Sequence, residues 1–460
     1  MEKRSGSRQS LTITHPFLTY IIQLPKPSTF NSFFHSFSIQ KQNKKKSKTK
    51  STMPVTENQS SFLNRISIRR NQIASLDSSS NEQEQEDFDV FIRHVADRFS
   101  ALLPAAESPC AAAPQLLTIS WFRDLLDAFL CCESEFKAVL LAGRDPSQFS
   151  RPPLDRLVPD LLDRSVKALD VFNAVTNGLD LMHHWQRLAQ IAVAALRQIT
   201  PVGEGQVRRA RRALVTLIAS MAFDDKEAAA TGGGSGGGHG RWAERTRSFG
   251  RRIGGAVRDR AVIVGNLRSL SWTVAKSWSA ARQVQMMLIS LAAPRGAEAA
   301  GLATPVYIMN TLLVFAAWAL VAAVPCQERH GLATHFQTPK SSSWAQPIMV
   351  LQEKIGEEWK RKEKEKRGNP GLLEELQRME AVAHSLVDFA DSFVFPLEDD
   401  RAAEMAAQVE ELAEICQKME EGLGPLQQQV RQVFHRIVKS RGEVLDVLDQ
   451  VSKLSAAVQY

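Results

Sequence analysis

The chain has 460 residues, of which 44% are hydrophobic and 23% are charged, and its formal net charge is +7. This length allows one elongated helical bundle or two helical units, and the hydrophobic content is enough to bury a core. Helix-forming Ala, Leu, Glu, Gln and Arg dominate, and β-branched residues rarely alternate with polar ones, so the composition predicts an all-α fold.

The positive charge is unevenly distributed along the chain. Much of the excess lies in residues 41–50 and 241–260, which have the composition of unstructured segments, whereas the regular segments are nearly balanced. This distribution argues against a nucleic-acid partner. The five cysteines include no C-x-x-C pair, which favours a reduced, cytosolic protein.

Residues 1–52 differ in composition from the rest of the chain. They are rich in Ser, Phe and Lys, and Glu2 is their only acidic residue. A transit peptide shares these features. We interpret residues 1–52 as a disordered leader, a non-native extension before a functional start at Met53, and residues 53–85 as a flexible N-terminal segment.

An N-terminal helical region is predicted for residues 86–222. Apolar residues recur there at steps of four and three, which is the pattern of amphipathic helices. Thr118 or Ser120 is positioned to cap the second helix, and Pro159 and Gly178 are candidate kinks in the third.

Residues 223–260 are predicted to form a Gly/Arg-rich, disordered linker. Residues 233–237 formally match the G-x-S-x-G nucleophile motif, but neither the required strand nor the required helix flanks them. Two interpretations of residues 241–260 stay open: a solvated linker, or an electrostatic segment that binds membrane or is phosphorylated at Ser248.

Residues 261–327 are predicted to be a helical region that contains one strongly hydrophobic helix, residues 305–324. Asn310 and Thr311 are its only strongly polar residues. The segment is long enough to cross a bilayer, but the central helix of a bundle is also apolar on all sides, so hydropathy alone leaves both interpretations open. Cys326, just beyond it, is either a palmitoylation candidate or an inert thiol.

Residues 343–460 are predicted to form a C-terminal helical region. The pattern predicts one helix over Leu372–Phe395, stopped by Pro396, and another over Asp399–Glu421. A further helix, beginning near Leu426, completes the predicted bundle of long amphipathic helices.

That last helix has the most regular apolar seam in the chain. The seam alternates by four and three, with one polar member, through Leu426, Val430, Val433, Ile437, Ser440, Val444, Val447, Val451, Leu454 and Val458. A narrow seam is typical of a coiled coil, but Phe434, Leu445 and Leu448 widen it. The wider face favours packing inside the protein's own bundle over dimerisation.

No pattern for chemistry emerges from the sequence. His183 and His184 are adjacent, so on a helix they point about 100° apart and do not chelate one metal. Glu380 and His384 form a single i,i+4 pair, which falls short of a ligand set. We therefore predict a non-enzymatic protein, with no catalytic, cofactor-binding or metal-binding residues and no small-molecule substrate.

Several long blocks, in order along the chain, resemble the plant BYPASS-related or ROH-one-like family. The resemblance covers almost everything from Met53 to the C-terminus. The blocks are Ser61–Gln72, Phe129–Gln148, Pro152–Asp180, Gly205–Leu214, Arg247–Arg252, Ala323–Ala333 and Pro425–Arg441.

The resemblance implies a helical, non-enzymatic protein, often with one membrane helix. It further implies binding to an exocyst subunit of the Exo-seventy class, or to a similar helical protein, in polarised secretion and cell-wall delivery. We accordingly expect a cytoplasmic, membrane-associated adaptor, with or without a single membrane pass. An alternative implied by other relatives is a developmental regulator of a root-derived mobile signal, with no direct secretory role.

Overall fold

The computed structural model describes residues 62–64, 78–104, 115–141, 146–197, 203–222, 278–326, 332, 342–364, 371–395 and 397–458. All of them lie in one compact unit, Val55–Tyr460. Within these ranges the regular elements are helices and no strand occurs, which confirms the predicted all-α fold. The predicted leader, the Gly/Arg-rich linker and Ser248 lie outside the described residues.

The helices are numbered in chain order. They are α1 (Ser78–Ser100), α2 (Ile119–Leu141), α3 (Leu154–Arg197), α4 (Glu204–Met221), α5 (Ala280–Ile289), α6 (Ala303–Ala323), α7 (Ala345–Lys364), α8 (Glu374–Asp391) and α9 (Asp399–Val458). Two short 3₁₀ helices, Pro146–Ser150 and Gly296–Ala299, precede α3 and α6.

Helices α3 and α9 form the centre of the bundle. Their mutual contact is the most extensive in the described chain, and α3 also packs against α4, α5 and α6. Helix α9 in turn packs against α2 and α8, and α1 lies against α2 and α7. Helices from all three predicted helical regions therefore share one hydrophobic core.

The N-terminus of α2 is capped twice. Thr118 Oγ1 accepts a hydrogen bond of 3.1 Å from the backbone N–H of Trp121, so Thr118 is the cap that the sequence predicts there. The Glu375 carboxylate of α8 accepts a second one, of 3.1 Å, from the N–H of Ile119. A negative charge at this position also interacts favourably with the helix dipole.

Gly178 in α3 allows a close approach between α3 and the end of α6. A Cβ atom at Gly178 would lie 2.6 Å from Cγ1 of Val324 and 2.7 Å from the carbonyl oxygen of Pro325. Helix α3 runs as one element through both Pro159 and Gly178. Glycine at this position is thus explained by interhelical packing.

Helix α9 continues where the sequence predicted a break. Gly422, Gly424 and Pro425 separate the two predicted helices, yet they lie inside one helix of 60 residues. Leu423 and Leu426, which flank Gly424 and Pro425, are fully buried. Tertiary burial therefore outweighs the low helix propensity of this short stretch.

The apolar seam of α9 packs inside the bundle. Val430, Val433, Ile437 and Val444 are all buried against the core formed with α2 and α3. For this part of the seam the structure confirms bundle packing over dimerisation. The side chains of the last three seam positions, from Val451 onward, lie outside the described part.

Helix α6 is the hydrophobic helix, and protein covers all of its sides. It is the one described helix long and apolar enough to cross a membrane, and its apolar window is 100% buried. Helices α1, α2, α3, α5 and α7 contact it. The backbone N–H of Leu372 donates to the carbonyl oxygen of Ala322 at 3.0 Å, and Cys326 is buried next to it, as expected of an inert thiol. This packing fits a core helix, whereas the length and composition of α6 also fit a membrane span.

Candidate partner-binding surface

The first candidate for chemistry is a buried ionic cluster between α1 and α2. The fully buried Glu135 carboxylate accepts hydrogen bonds of 3.0 and 2.5 Å from the Arg98 guanidinium. His94 Nδ1 lies 3.1 Å from Glu135 Oε2, and the ring of Phe62 packs edge-on against His94. Burial opposes the charged form of Glu135, but the hydrogen bonds from His94 and Arg98 outweigh it and hold its pKa below the ordinary value.

A second buried carboxylate joins α2 to α9. Glu133 accepts a hydrogen bond from the Ser440 hydroxyl, and Arg436 Nη1 lies 3.5 Å from its other oxygen. Burial raises the pKa of Glu133. His94 and Arg98 occupy the Glu135 carboxylate, whereas Oε2 of Glu133 accepts no hydrogen bond within the described part of the chain. Both clusters hold neighbouring helices together.

The buried thiols are poor nucleophiles. Burial raises the pKa of Cys132 to about 12, although the Arg98 guanidinium 3.9 Å away favours the thiolate. Burial likewise raises the pKa of Cys416 to about 12. A thiol with so high a pKa stays protonated at neutral pH.

The histidines singled out in the sequence do not converge on a site. His183 Nδ1 contacts the carbonyl oxygen of Leu179 at 2.9 Å, and burial lowers the pKa of its neighbour His184. His384 is exposed on α8, one turn after Glu380. Among the residues that the structure describes, no group of three or more His, Cys, Asp or Glu side chains is arranged to hold a metal.

The connection between α8 and α9 exposes an apolar tip, which we define as Phe393–Phe395. The side chains of Val394 and Phe395 are 69% and 65% exposed. Phe393 is half-buried and packs edge-on against Phe389 of α8, with ring centroids 6.1 Å apart. Two neighbouring exposed apolar side chains of this size make the tip a candidate contact surface.

Several contacts hold the residues directly before the apolar tip in place. Arg401 of α9 donates hydrogen bonds of 3.1 Å to the carbonyl oxygen of Ser392 and 2.7 Å to its hydroxyl. The same guanidinium lies 5.3 Å from the ring centroid of Phe389. An ion pair between Arg211 of α4 and Asp391 fixes the preceding residue. These contacts fix the residues from which the tip projects.

Charged residues lie next to the apolar tip. Arg211 of α4 pairs with Asp391 just before the tip, and the exposed acidic residues Glu398, Asp399 and Asp400 follow it in the chain. An apolar centre with a polar rim is the usual arrangement of a protein–protein contact.

The sequence pattern placed this tip wrongly inside a helix. The predicted helix over Leu372–Phe395 ends four residues earlier in the structure, at Asp391. The available signal was the apolar run Phe393–Phe395 directly before Pro396, because consecutive apolar residues do not fit one helix face.

The chain matches known proteins over most of its length. A family model described as "Protein ROH1-like" matches residues 53–448. The Arabidopsis thaliana protein ROH1A is 54% identical over 418 residues, which cover 88% of this chain and 99% of the relative. Protein ROH1D of the same plant is 38% identical over 412 residues, covering 86% and 98%. No solved structure matches.

Proposed function

The chain belongs to the ROH1-like family, and we propose that it is a non-catalytic adaptor that binds a helical partner protein through its apolar tip. The partner we propose is an exocyst subunit of the Exo-seventy class, which would connect the protein to polarised secretion and cell-wall delivery. The observation that carries this proposal is that the side chains of Val394 and Phe395 are exposed directly after a segment held in place by other contacts.

Exposed and preorganised apolar side chains are effective anchors for a partner. Large, rigid side chains that enter a partner's pocket dominate the binding energy of many interfaces. Because Arg401 holds Ser392 and Phe389 next to the tip, less conformational entropy is lost when the partner binds than for a free loop. A short convex apolar segment fits the groove between two helices, so a helical partner suits this surface.

We further propose that the protein is cytoplasmic and reaches the membrane through its partner. The support for this is the enclosure of α6 by helices of the same chain. A helix covered on every side has no face left for lipid. The protein's own hydrophobic helix then contributes to stability, and membrane association depends on the apolar tip.

The test is binding of the purified full chain to the Exo-seventy class subunit of the same plant, measured by calorimetry. We expect the double variant Val394→Ser/Phe395→Ser to bind at least about tenfold more weakly, because it loses both anchors. The matched control is Met286→Ser/Ile289→Ser, which removes two other exposed apolar side chains on α5. The control should bind within about twofold of the unmodified chain.

Two results would contradict the proposal. Undiminished binding by the tip variant would place the contact elsewhere on the surface. If exocyst subunits do not co-purify with the tagged chain, this partner is excluded and the developmental alternative is favoured.

A further inference from the structure

Helix α9 has a long stretch without acidic residues. Between Gly422 and Gly442 the sequence contains Gln, Arg, His and Lys but no Asp or Glu. Acidic residues resume on both sides, at Glu421 and Glu443. The basic residues of this stretch are Arg431, His435, Arg436, Lys439 and Arg441.

Three of these basic residues form a row on the solvent face. Arg431, His435 and Lys439 follow one another at intervals of four and are exposed, whereas Val433 and Ile437 on the opposite face are buried. Together with Gln428 and Gln432 they border a shallow depression in the surface. We call these five residues the basic strip.

Neighbouring helices do not neutralise the basic strip. At this level of the bundle, Asp127 of α2 accepts a hydrogen bond of 2.7 Å from Gln429. Asp180 of α3 accepts one of 2.7 Å from Gln427. Within the described part of the chain, the three basic side chains of the strip make no ion pair or side-chain hydrogen bond with another residue. Their charge is therefore free to attract a partner.

We propose that the basic strip binds an acidic helix of a partner protein. Residues four apart on a helix rise about 6 Å, so the cations of Arg431 and Lys439 lie about 12 Å apart along the axis, with the His435 ring between them. An acidic helix with carboxylates at the same interval presents matching charges, as the flanking positions of paired helices do. The two glutamines add side-chain amides that donate hydrogen bonds to carboxylates.

The strip suits a helix better than a bilayer. Two cations, those of Arg431 and Lys439, attract an anionic surface only weakly. On this face of α9, the one large hydrophobic side chain that the structure shows as exposed is Val438, which is too small to anchor in a bilayer interface. The row follows one inclined ridge of the helix, which is the kind of surface against which a second helix packs.

The basic strip is separate from the apolar tip. Arg431 lies 32 positions after the start of α9, which corresponds to about 50 Å along the helix axis. One small partner domain does not span that distance. The inference therefore stands apart from the proposed function and gives the protein a second contact surface.

The test uses a synthetic, alanine-rich helical peptide of about 20 residues with glutamate at every fourth position. Its binding to the full chain is measured by fluorescence anisotropy. We expect Arg431→Glu/Lys439→Glu to weaken binding at least about tenfold, because attraction becomes repulsion. The matched control is Lys354→Glu/Lys360→Glu on α7, which makes the same change of net charge on exposed lysines. The control should stay within about twofold, and circular dichroism checks that both variants fold.

A peptide of opposite charge and two further measurements make the outcome specific. The same peptide with lysine in place of glutamate should bind Arg431→Glu/Lys439→Glu and not the unmodified chain. The tip variant Val394→Ser/Phe395→Ser should bind the acidic peptide normally. A failure of the proposed function is therefore distinguishable from a failure of this inference. Equal losses in the strip and control variants would overturn the inference. If Arg431→Glu/Lys439→Glu loses binding to phosphatidylserine vesicles but still binds the acidic peptide, the inference is overturned in favour of a membrane site.

Discussion

The guanidinium of Arg164 in α3 donates a hydrogen bond of 3.0 Å to the side-chain oxygen of Asn310 in α6. The Asn310 amide donates in turn to the carbonyl oxygen of Val306 at 3.0 Å. Arg164 also donates to the carbonyl oxygen of Ser290, so one buried side chain connects α3, α6 and the end of α5. Burial lowers the pKa of Arg164, and each acceptor stabilises its buried charge.

Replacing Asn310 by leucine removes one acceptor from this buried guanidinium. We expect Asn310→Leu to lower the free energy of unfolding by about 1–3 kcal/mol, measured by chemical denaturation. The double variant Arg164→Leu/Asn310→Leu should recover part of the loss, because neither polar partner is then left buried alone. Additive losses would show that the two side chains are not coupled.

The enclosure of α6 predicts how the protein behaves in membranes. A core helix of a folded bundle is not held by lipid, so alkaline carbonate should release the full chain from membranes of expressing cells. Immunoblots of the soluble and pelleted fractions measure this. Retention in the pellet alongside an integral membrane protein would mean that α6 leaves the bundle to enter the bilayer.

Gly178 gives a direct test of helix packing. Gly178→Ala brings a methyl group within contact distance of both Val324 and Pro325, so we expect a loss of about 1–3 kcal/mol in unfolding free energy. Gly442→Ala in α9 is the control, because no heavy atom lies within 4 Å of its added Cβ. Alanine there should stabilise the protein by up to about 1 kcal/mol, since it favours the helix. Thermal unfolding followed by circular dichroism compares the two.

The two faces of α9 predict opposite outcomes for one substitution. Val433 is fully buried, and Val438 is 46% exposed. Val433→Asp should destabilise the protein by more than about 4 kcal/mol or prevent folding, because it buries an unpaired carboxylate. Val438→Asp should change the free energy of unfolding by less than about 0.5 kcal/mol. A folded, stable Val433→Asp variant would place the seam outside the bundle core.

The Glu135 cluster makes stability depend on pH. Hydrogen bonds from His94 and Arg98 outweigh the effect of burial, so the pKa of Glu135 is lower in the folded state than in the unfolded chain. The cluster therefore stabilises the protein above the unfolded pKa of about 4.3, and this stability is lost as the pH falls through the folded pKa. Glu135→Gln should lower the melting temperature most at neutral pH, with the difference narrowing below about pH 4.

Glu410→Gln is the control for this pH dependence. Glu410 forms an exposed ion pair with Arg197 at 2.9 Å. Such pairs contribute less than about 1 kcal/mol, so the control should show a small loss at any pH. A Glu135→Gln profile parallel to that of the unmodified protein would contradict the assigned pKa shift.

Local patterns were sufficient to predict most of the helices and the Thr118 cap of α2. The steps of four and three in α2 and α9, and Thr118 before α2, depend on residues within a turn or two of each other. Helical periodicity and capping are local properties, so they can be predicted from sequence. The regular apolar seam likewise identified the buried face of α9 without knowledge of the helices that cover it.

Only the tertiary structure decided the environment of α6 and the two candidate surfaces. Hydropathy is the same whether lipid or protein surrounds a helix, and Arg164, which satisfies Asn310, lies 146 residues away in sequence. The exposure of Val394 and Phe395 depends on where α8 ends, and that of the basic strip depends on which face of α9 the neighbouring helices cover. These properties arise from contacts between residues distant in sequence, which local periodicity does not encode.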